Sequence, residues 1–370
     1  MRISEPYTLF PRKFPSGTVV YYYQFRREDG SRSTPISTGC KTLASAKKFC
    51  NKLYNQGDFN KSVSLKFKDY TKDFFSEKSR YYKWKIANKE HISPETLLAY
   101  NKFLKNELLP YFAEYHLDKI KRASVKEWVI WANNRWSAKT VNSAQTVLNI
   151  IFKQAIDDEL LENNPCYNIS FRDIEKKHRE LLTINEVARM YQKGNWWYDN
   201  QLIFLLDIIT GLRISELVAL RNDDIFENYI RVNKSYSRNF GMGQTKNQLN
   251  RFVPIPSELA KELHSDNEYL FINHEGKNKG QPLNINSFYT NLCDVYKTFK
   301  IDKKVRGLDV HTNRNFYITY LQSEGVPQAK IRAVVGHKDA TMTGLYTYWT
   351  PDMFEEVYQA QLKLYKLIRG

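Results

Sequence analysis

From Gly17 the chain reads GTVVYYYQFRREDGSRSTPISTGC, in which aromatic and β-branched residues run together to Phe25, break at Glu28-Asp29-Gly30, and resume as a Thr/Ile stretch ending at Gly39. Apolar runs bounded by turn residues in this way predict short β-strands. The period then lengthens, and Thr42 stands where its hydroxyl can cap a helix through ASAKKFCNKLY. Residues 1–60 therefore read as a small sheet with one helix. After a polar joint at about 55–64, Leu65, Phe67, Tyr70 and Phe74 give a loose apolar face that predicts a helix through SLKFKDYTKDFFSE. Pro94 opens a second helix, TLLAYNKFLKNELLPYF, with apolar positions at Leu97, Leu98, Tyr100, Leu104 and Leu108. Ser137 caps a third, AKTVNSAQTVLNIIFKQAIDDELL, which runs to Asn163-Asn164-Pro165. Residues 61–165 form an all-helical block on this pattern.

Residues 166–180, CYNISFRDIEKKHRE, are polar and charge-rich and read as a linker. The remainder, 181–370, mixes both periods. Helices are expected over about 185–192 and 199–209, and strands over about 229–232 and 252–255. A last helix places Phe354, Val357, Tyr358, Leu362 and Tyr365 on one stripe. That stripe fits packing onto its own domain. The fold class is thus multidomain and mainly α, with small β-sheets.

Length and charge add a partner to this picture. At 370 residues the chain exceeds one compact domain. A net charge of +16 implies affinity for a polyanion; taken alone it fits an RNA-binding or membrane-surface protein as well. No apolar run approaches the ~20 residues of a spanning helix, and no signal-peptide pattern opens the chain, so a cytoplasmic, nucleoid-associated protein is expected. Within residues 1–60, ten Lys/Arg face four Asp/Glu. The cysteines at 40, 50, 166 and 293 show no zinc-type spacing and read as reduced and structural, and no metal or other cofactor is expected.

Candidate chemistry concentrates in the last region. TGLRISEL centres on Arg213, GQTKNQLNRFVPIP carries Lys246, HTNRN gives His311 and Arg314, VVGHKD gives His337, and GLYTY places Tyr346 nine residues beyond that histidine. The transition state of phosphodiester cleavage carries nearly two negative charges on its non-bridging oxygens. Arginine suits it, being always charged and presenting a planar fork to phosphate oxygens. A tyrosine hydroxyl titrates near ~10 and needs adjacent positive charge and a proton acceptor to attack at neutral pH. His311 is the candidate acceptor. A departing 5′ oxygen needs a general acid, which Lys246 can supply if neighbouring arginines depress its pKa. Lys234, on the same expected hairpin, is the alternative to Lys246, and Tyr348 the alternative to Tyr346. Arg213 also fits an exposed helix arginine, and either histidine alone fits a satisfied core position.

In order and interval these elements resemble the tyrosine recombinases, the phage integrase family: an arginine followed three residues later by glutamate (Glu216), a hairpin lysine before a strand, H-x-x-R, G-H at Gly336 and His337, and the tyrosine. Val335 stands where leucine usually precedes the glycine, and Tyr348-Trp349 where a histidine is frequent. The resemblance implies the family's DNA breaking-rejoining catalytic fold over 181–370. It also implies a SAM-like core-binding domain over 61–165, in which Lys139, Thr140 and Asn142 face DNA, and an arm-type DNA-binding domain over 1–60, in which Arg26, Arg27 and Arg32 read or grip the duplex. The plain alternatives are exposed first-turn residues for the former three and a solvated hairpin face for the latter. The implied function is site-specific recombination for a mobile element through a 3′-phosphotyrosyl intermediate without metal or ATP. Its partner would be double-stranded attachment-site DNA, bound by a homotetramer assembled from monomers in which the last helix docks on a neighbouring protomer, with a possible accessory bending or excision factor. Chromosome-dimer or plasmid resolution, type IB topoisomerase activity, and DNA binding without catalysis are the rival functions.

Overall fold

The computed structural model describes residues 6–14, 17–25, 32–55, 65–90, 92–174, 179–245, 250–337 and 350–370. The chain divides into two compact units, Met1–Ile174 and Glu175–Gly370.

In the first unit, strand β1 (Tyr7–Lys13) pairs antiparallel with β2 (Val19–Phe25), and β2 with β3 (Ile36–Ser37). The sequence pattern did not announce β1 because Pro11 argues against a strand; β1 lies at the sheet edge, where a missing N–H is tolerated. Pleating sends Tyr7, Tyr23 and Phe25 to one face, where they bury against Cys50 and Leu53 of helix α1 (Leu43–Asn55). Thr42 caps α1, its hydroxyl accepting the Ser45 N–H at 3.3 Å. The turn expected at Glu28-Asp29-Gly30 lies outside the described residues.

The helical block starts with a single turn, α2 (Phe67–Tyr70), rather than the long helix expected through residue 77. Asp73 adopts φ +57° and ends helical progress. After α3 (Arg80–Ala87) comes α4 (Pro94–Phe103), with Ser93 accepting the Thr96 N–H. A π turn (Leu104–Leu108) leads into α5 (Leu109–Phe112), and α6 (Arg122–Asn133) precedes α7 (Ala138–Asp157). Ser137 caps α7 as expected, accepting the Thr140 N–H at 3.3 Å. The helix stops at Asp157, short of Asn163, and Glu159 turns the chain at φ +62°. Phe67, Leu104, Phe112, Trp128, Leu148 and Phe152 form the core of this block.

The second unit comprises α8 (Ile184–Lys193), α9 (Asn200–Thr210), α10 (Ile214–Leu217), strands β4 (Tyr229–Val232), β5 (Lys234–Ser237), β6 (Gly241–Gln244) and β7 (Arg251–Pro254), then α11 (Ser257–Glu262), α12 (Ile285–Thr298), α13 (Val310–Ser323), α14 (Gln328–Val335) and α15 (Glu355–Arg369). Helix α9 is buried on every side from Ile203 to Thr210, mostly with apolar residues, so it forms the spine of the unit. Strands β4 and β7 pair antiparallel, and the β5–β6 hairpin lies between them in sequence. Helix α15 packs within its own unit: Val357, Leu364 and Ile368 are fully buried there, and Gln361 donates to the Ile209 carbonyl at 3.1 Å and the Tyr317 hydroxyl at 2.9 Å. Its buried face is turned slightly from the expected stripe, leaving Tyr358 and Leu362 only half-buried.

Candidate active site

Helix α9 ends at Gly211, whose φ of +59° is left-handed and whose Cβ, were there one, would stand 2.4 Å from a ring carbon of Tyr317. Both facts demand glycine. The chain restarts at Arg213, the N-cap of α10. Glu216 accepts the Arg213 backbone N–H at 3.0 Å and its Nη1 at 2.8 Å, so the expected arginine-glutamate pair is a physical one.

Glu216 is 1% exposed and holds a second guanidinium. Arg251, the first residue of β7, donates Nη2 to Oε2 at 2.6 Å and Nη1 to Oε1 at 3.2 Å, a fork-to-fork pair. Burial pushes the Glu216 carboxyl up, but the charge and hydrogen bonds of Arg251, with those of Arg213, outweigh it and leave the carboxyl below its ordinary range. The sequence pattern missed Arg251. Its signal was there, in the RFVPIP that follows Lys246 in the sequence, but a lone strand arginine declares no role until its partner is known.

Helix α13 supplies the H-x-x-R pair, three residues apart and so on one helix face. Asp309 caps it, accepting the His311 N–H at 2.9 Å, and His311 is exposed. Arg314 is buried to 7% exposure; its Nη1 donates to the Gly211 carbonyl at 2.7 Å and its Nη2 to the Val335 carbonyl. Arg213 donates Nη2 to the neighbouring carbonyl of Gly336 at 3.4 Å. The carbonyl ends of α9 and α14 thus converge on the two guanidiniums, where helix dipoles favour positive charge. Burial, then the charge of Arg213, brings the Arg314 pKa down to about 10, so it remains a cation at neutral pH. Gly336 closes α14 at φ +68°, and His337 follows it. Burial and then the surrounding arginines, Arg314 and Arg213 first, hold the His337 pKa below its usual value, which favours the neutral ring at pH 7.

The structure therefore brings Arg213, Glu216, Arg314 and His337 together around the ends of α9 and α14, with His311 one helical turn before Arg314. Lys246 and Tyr346 lie outside the described residues, as do Tyr348, Arg26 and Arg27. Lys234, the alternative lysine, is engaged elsewhere: its ammonium sits 3.2 Å from the buried carboxylate of Asp224. Behind the site Asp207 is fully buried and accepts from Asn313 at 2.9 Å; burial raises its pKa to about 7 against the counter-effects of Asn313 and Arg314.

The expected DNA-facing residues fare unevenly. Arg32 and Lys139 are exposed. Thr140 shares its hydroxyl with Ser137 in the α7 cap, and Asn142 spends both ends of its amide on the Arg172 backbone, at 2.8 and 3.0 Å. On the open face of the N-terminal sheet stands a residue not singled out in the sequence, Arg12, whose guanidinium lies 5.5 Å from the Tyr22 ring centre, with Phe10 stacked on that same ring. Among the described residues no group of three or more His, Cys, Asp or Glu is placed to hold a metal ion, and no helix is long and apolar enough to cross a membrane.

The profile of the phage integrase family matches residues 178–352, and that of the phage integrase N-terminal SAM-like domain matches 78–130. The chain is 25% identical to the tyrosine recombinase XerD of Staphylococcus saprophyticus over 74% of its own length and 94% of the relative's. XerD of Halalkalibacterium halodurans is 23% identical, over 65% and 81%. Among solved structures, the Tn1549 transposon integrase in complex with a circular intermediate DNA superposes with a TM-score of 0.60 at 19% identity, over 77% of this chain and 98% of that one. A lambda integrase dimer bound to a core site gives 0.57 at 15% identity, over 95% and 98%.

Proposed function

The chain belongs to the tyrosine recombinase, or phage integrase, family, and on that premise we propose that it is the integrase of a mobile element, cleaving and rejoining DNA at specific sites. The observation that carries the chemistry is the pair of guanidiniums, Arg213 and Arg314, held side by side by the carbonyl ends of two helices. Each guanidinium has five N–H donors, and the described contacts of each take only two, leaving donors for the non-bridging oxygens of a scissile phosphate. In this reading the Tyr346 hydroxyl attacks phosphorus with His311 accepting its proton, the 5′ oxygen leaves with a proton from Lys246, and the enzyme stays joined to the 3′ phosphate. The neutral imidazole of His337 can donate a hydrogen bond to a phosphate oxygen without a charge to shed. Because the ester conserves the bond energy, a second 5′ hydroxyl reverses the step without ATP.

The integrase reading over a resolvase is favoured by the N-terminal module. Residues 1–60 carry an excess of six positive charges and a three-stranded sheet whose open face presents Arg12 among aromatic rings. The XerD relatives match about three quarters of the chain or less, whereas the lambda integrase fold extends over nearly all of it. We assign 1–60 to arm-site binding, 61–165 to core-site binding, 166–180 to the linker and 181–370 to catalysis, with four protomers acting on two synapsed duplexes, and place the activity in the cytoplasm at the nucleoid.

The test is a suicide substrate bearing the DNA beside the protein's own coding region. The wild type should trap a protein–DNA ester on that site only, and Tyr346→Phe should keep specific binding while losing the ester. An ester on most plasmids would point to a topoisomerase, and none anywhere to a binding protein. Footprinting separates the remaining pair: an integrase protects arm sites in addition to its core sites, a resolvase core sites alone.

A further inference from the structure

We infer that Arg251 is a positioning residue for the phosphate-binding arginines, acting through Glu216 and through the backbone at Val334. It rests on the proposed reading of the site, since the reaction it serves is phosphodiester cleavage.

Three contacts carry this. First, Arg251 takes both oxygens of Glu216, at 2.6 and 3.2 Å, while the same carboxylate holds Arg213 by its side chain at 2.8 Å and its backbone N–H at 3.0 Å. Glu216 is 1% exposed, so its charge has no water to spread into. With Arg251 present, one buried carboxylate is shared by two guanidiniums and Arg213 keeps a net positive field for a ligand. Without it, the full carboxylate charge falls on Arg213 alone and neutralises the group that should face phosphate. Second, Arg251 Nε donates to the Val334 carbonyl at 2.8 Å. Val334 is one residue before the carbonyl that holds Arg314 and two before the one that holds Arg213. The side chain thus ties the last turn of α14 to the first residue of β7. Third, Gly336 sits against this guanidinium: a Cβ there would lie 3.1 Å from its central carbon. The glycine that ends α14 and the arginine that opens β7 are fitted to one another.

Only a forked cation can do this. It must reach two carboxylate oxygens and a carbonyl at once from a side chain 9% exposed, whereas lysine is a point charge on a flexible stem. Arg251 also opens β7, so it couples that strand to Glu216 of α10 and to the last turn of α14.

The experiment compares wild type, Arg251→Met, Arg251→Lys, Glu216→Gln and the double variant Arg251→Met/Glu216→Gln in the full-length protein. Two quantities are read: single-turnover ester formation on the suicide site, and affinity for inorganic phosphate by calorimetric titration. Arg251→Met is expected to slow the ester by about 100-fold, the scale of a misplacement of about 1 Å, while specific DNA affinity stays within about threefold. It should weaken phosphate binding by about tenfold, the ratio that 1.4 kcal/mol of lost field at Arg213 produces. Removing the now unbalanced carboxylate should restore both, so the double variant should recover at least about tenfold over Arg251→Met. The deficit of Arg251→Met should also shrink as the pH is lowered and Glu216 takes a proton, which a packing defect would not do. Arg251→Lys keeps the charge and should fold even if the methionine variant does not; its ester rate should fall between the two.

A double variant no better than Arg251→Met, or Arg251→Lys equal to wild type, overturns the inference. Should wild type make no ester on any site, the functional reading fails instead, and the phosphate titrations still decide whether Arg251 positions Arg213.

Discussion

Replacing Gly211 by alanine isolates how tightly the catalytic core is fitted to its helix end. Two costs add at that position. An L-residue forced into the left-handed region loses about 1–2 kcal/mol, and φ at Gly211 is +59°. The new methyl would then sit 2.4 Å from Cδ1 and 3.0 Å from Cγ of Tyr317, a ring with no exposure whose hydroxyl is already held by Gln361 of α15. Tyr317 cannot swing into solvent, so the overlap must be relieved by shifting packed elements, at a further cost of about 1–3 kcal/mol. The sum is about 2–5 kcal/mol. Gly241 provides the control: its φ is +71°, but nothing lies within 4 Å of its Cβ position, so Gly241→Ala should cost only the backbone term, about 1–2 kcal/mol.

Because the chain has two units, a single melting temperature would blend them. Hydrogen exchange of the α9 peptides in the intact protein across a urea series reads the right one. The shift for Gly211→Ala should exceed that for Gly241→Ala by at least about 1 kcal/mol, the lower bound of the overlap cost. Since the Gly211 carbonyl holds Arg314, ester formation should fall along with stability. Equal shifts for the two alanines would refute the claim that Tyr317 and the helix end are rigidly matched.

The C-terminal helix offers another check, because Gln361→Leu keeps its bulk while leaving the Ile209 carbonyl and Tyr317 hydroxyl without their shared donor, so unfolding should cost about 1–3 kcal/mol less, read by the same exchange experiment. Asp207 gives a pH dependence. Its folded pKa, about 7, lies above the unfolded value near 3.8, so the folded state binds the proton more tightly; the stabilisation is complete below pH ~4 and is lost as pH rises through about 7. At about 1.36 kcal/mol per unit that loss is of the order of 4 kcal/mol, and Asp207→Asn should abolish the slope between pH 4 and 8 in urea titrations. A slope of the same size in the variant would mean another group carries it.

Much of this molecule was legible in its residues, and the failures have physical causes. Helix caps at Thr42 and Ser137 read correctly because a hydroxyl three residues ahead of an N–H acts locally. Of the candidate site residues, His311 and Arg314 were legible as neighbours because their interval of three is that of one helix face. Residues 65–77 misled because Phe67 and Phe74 share an apolar face in either a helix or a turn, and the reversal at Asp73 leaves no mark in periodicity. Strand β1 was hidden by a proline that an edge position excuses. Arg251 was hidden because its meaning lies in Glu216 and Val334, 35 residues before it and 83 after. Asn142 looked like a free helix-start amide, and only folding brings the Arg172 backbone to it.

The convergence of arginines has a reason that lysine would not satisfy, and Arg314→Lys tests it. The environment of Arg314, burial first and then Arg213, lowers its pKa from 12.5 to about 10. At that value the group is still fully charged at neutral pH. The same environment acting on an ammonium with an ordinary pKa near 10.4 would bring it to about 8, so that a sizeable fraction is neutral under working conditions. Lysine would in addition reach only one of the carbonyls of Gly211 and Val335 that the planar fork spans. Arg314→Lys should therefore make ester formation pH-dependent in a way wild type is not. The rate relative to wild type is expected to be highest near pH 6 and to decline as pH rises through about 8, about tenfold per unit beyond it, because the cation proposed to stabilise the transition state is being lost. A constant ratio between variant and wild type from pH 6 to 9 would show that position 314 serves by shape alone, and that the charge at the joined ends of α9 and α14 comes from Arg213.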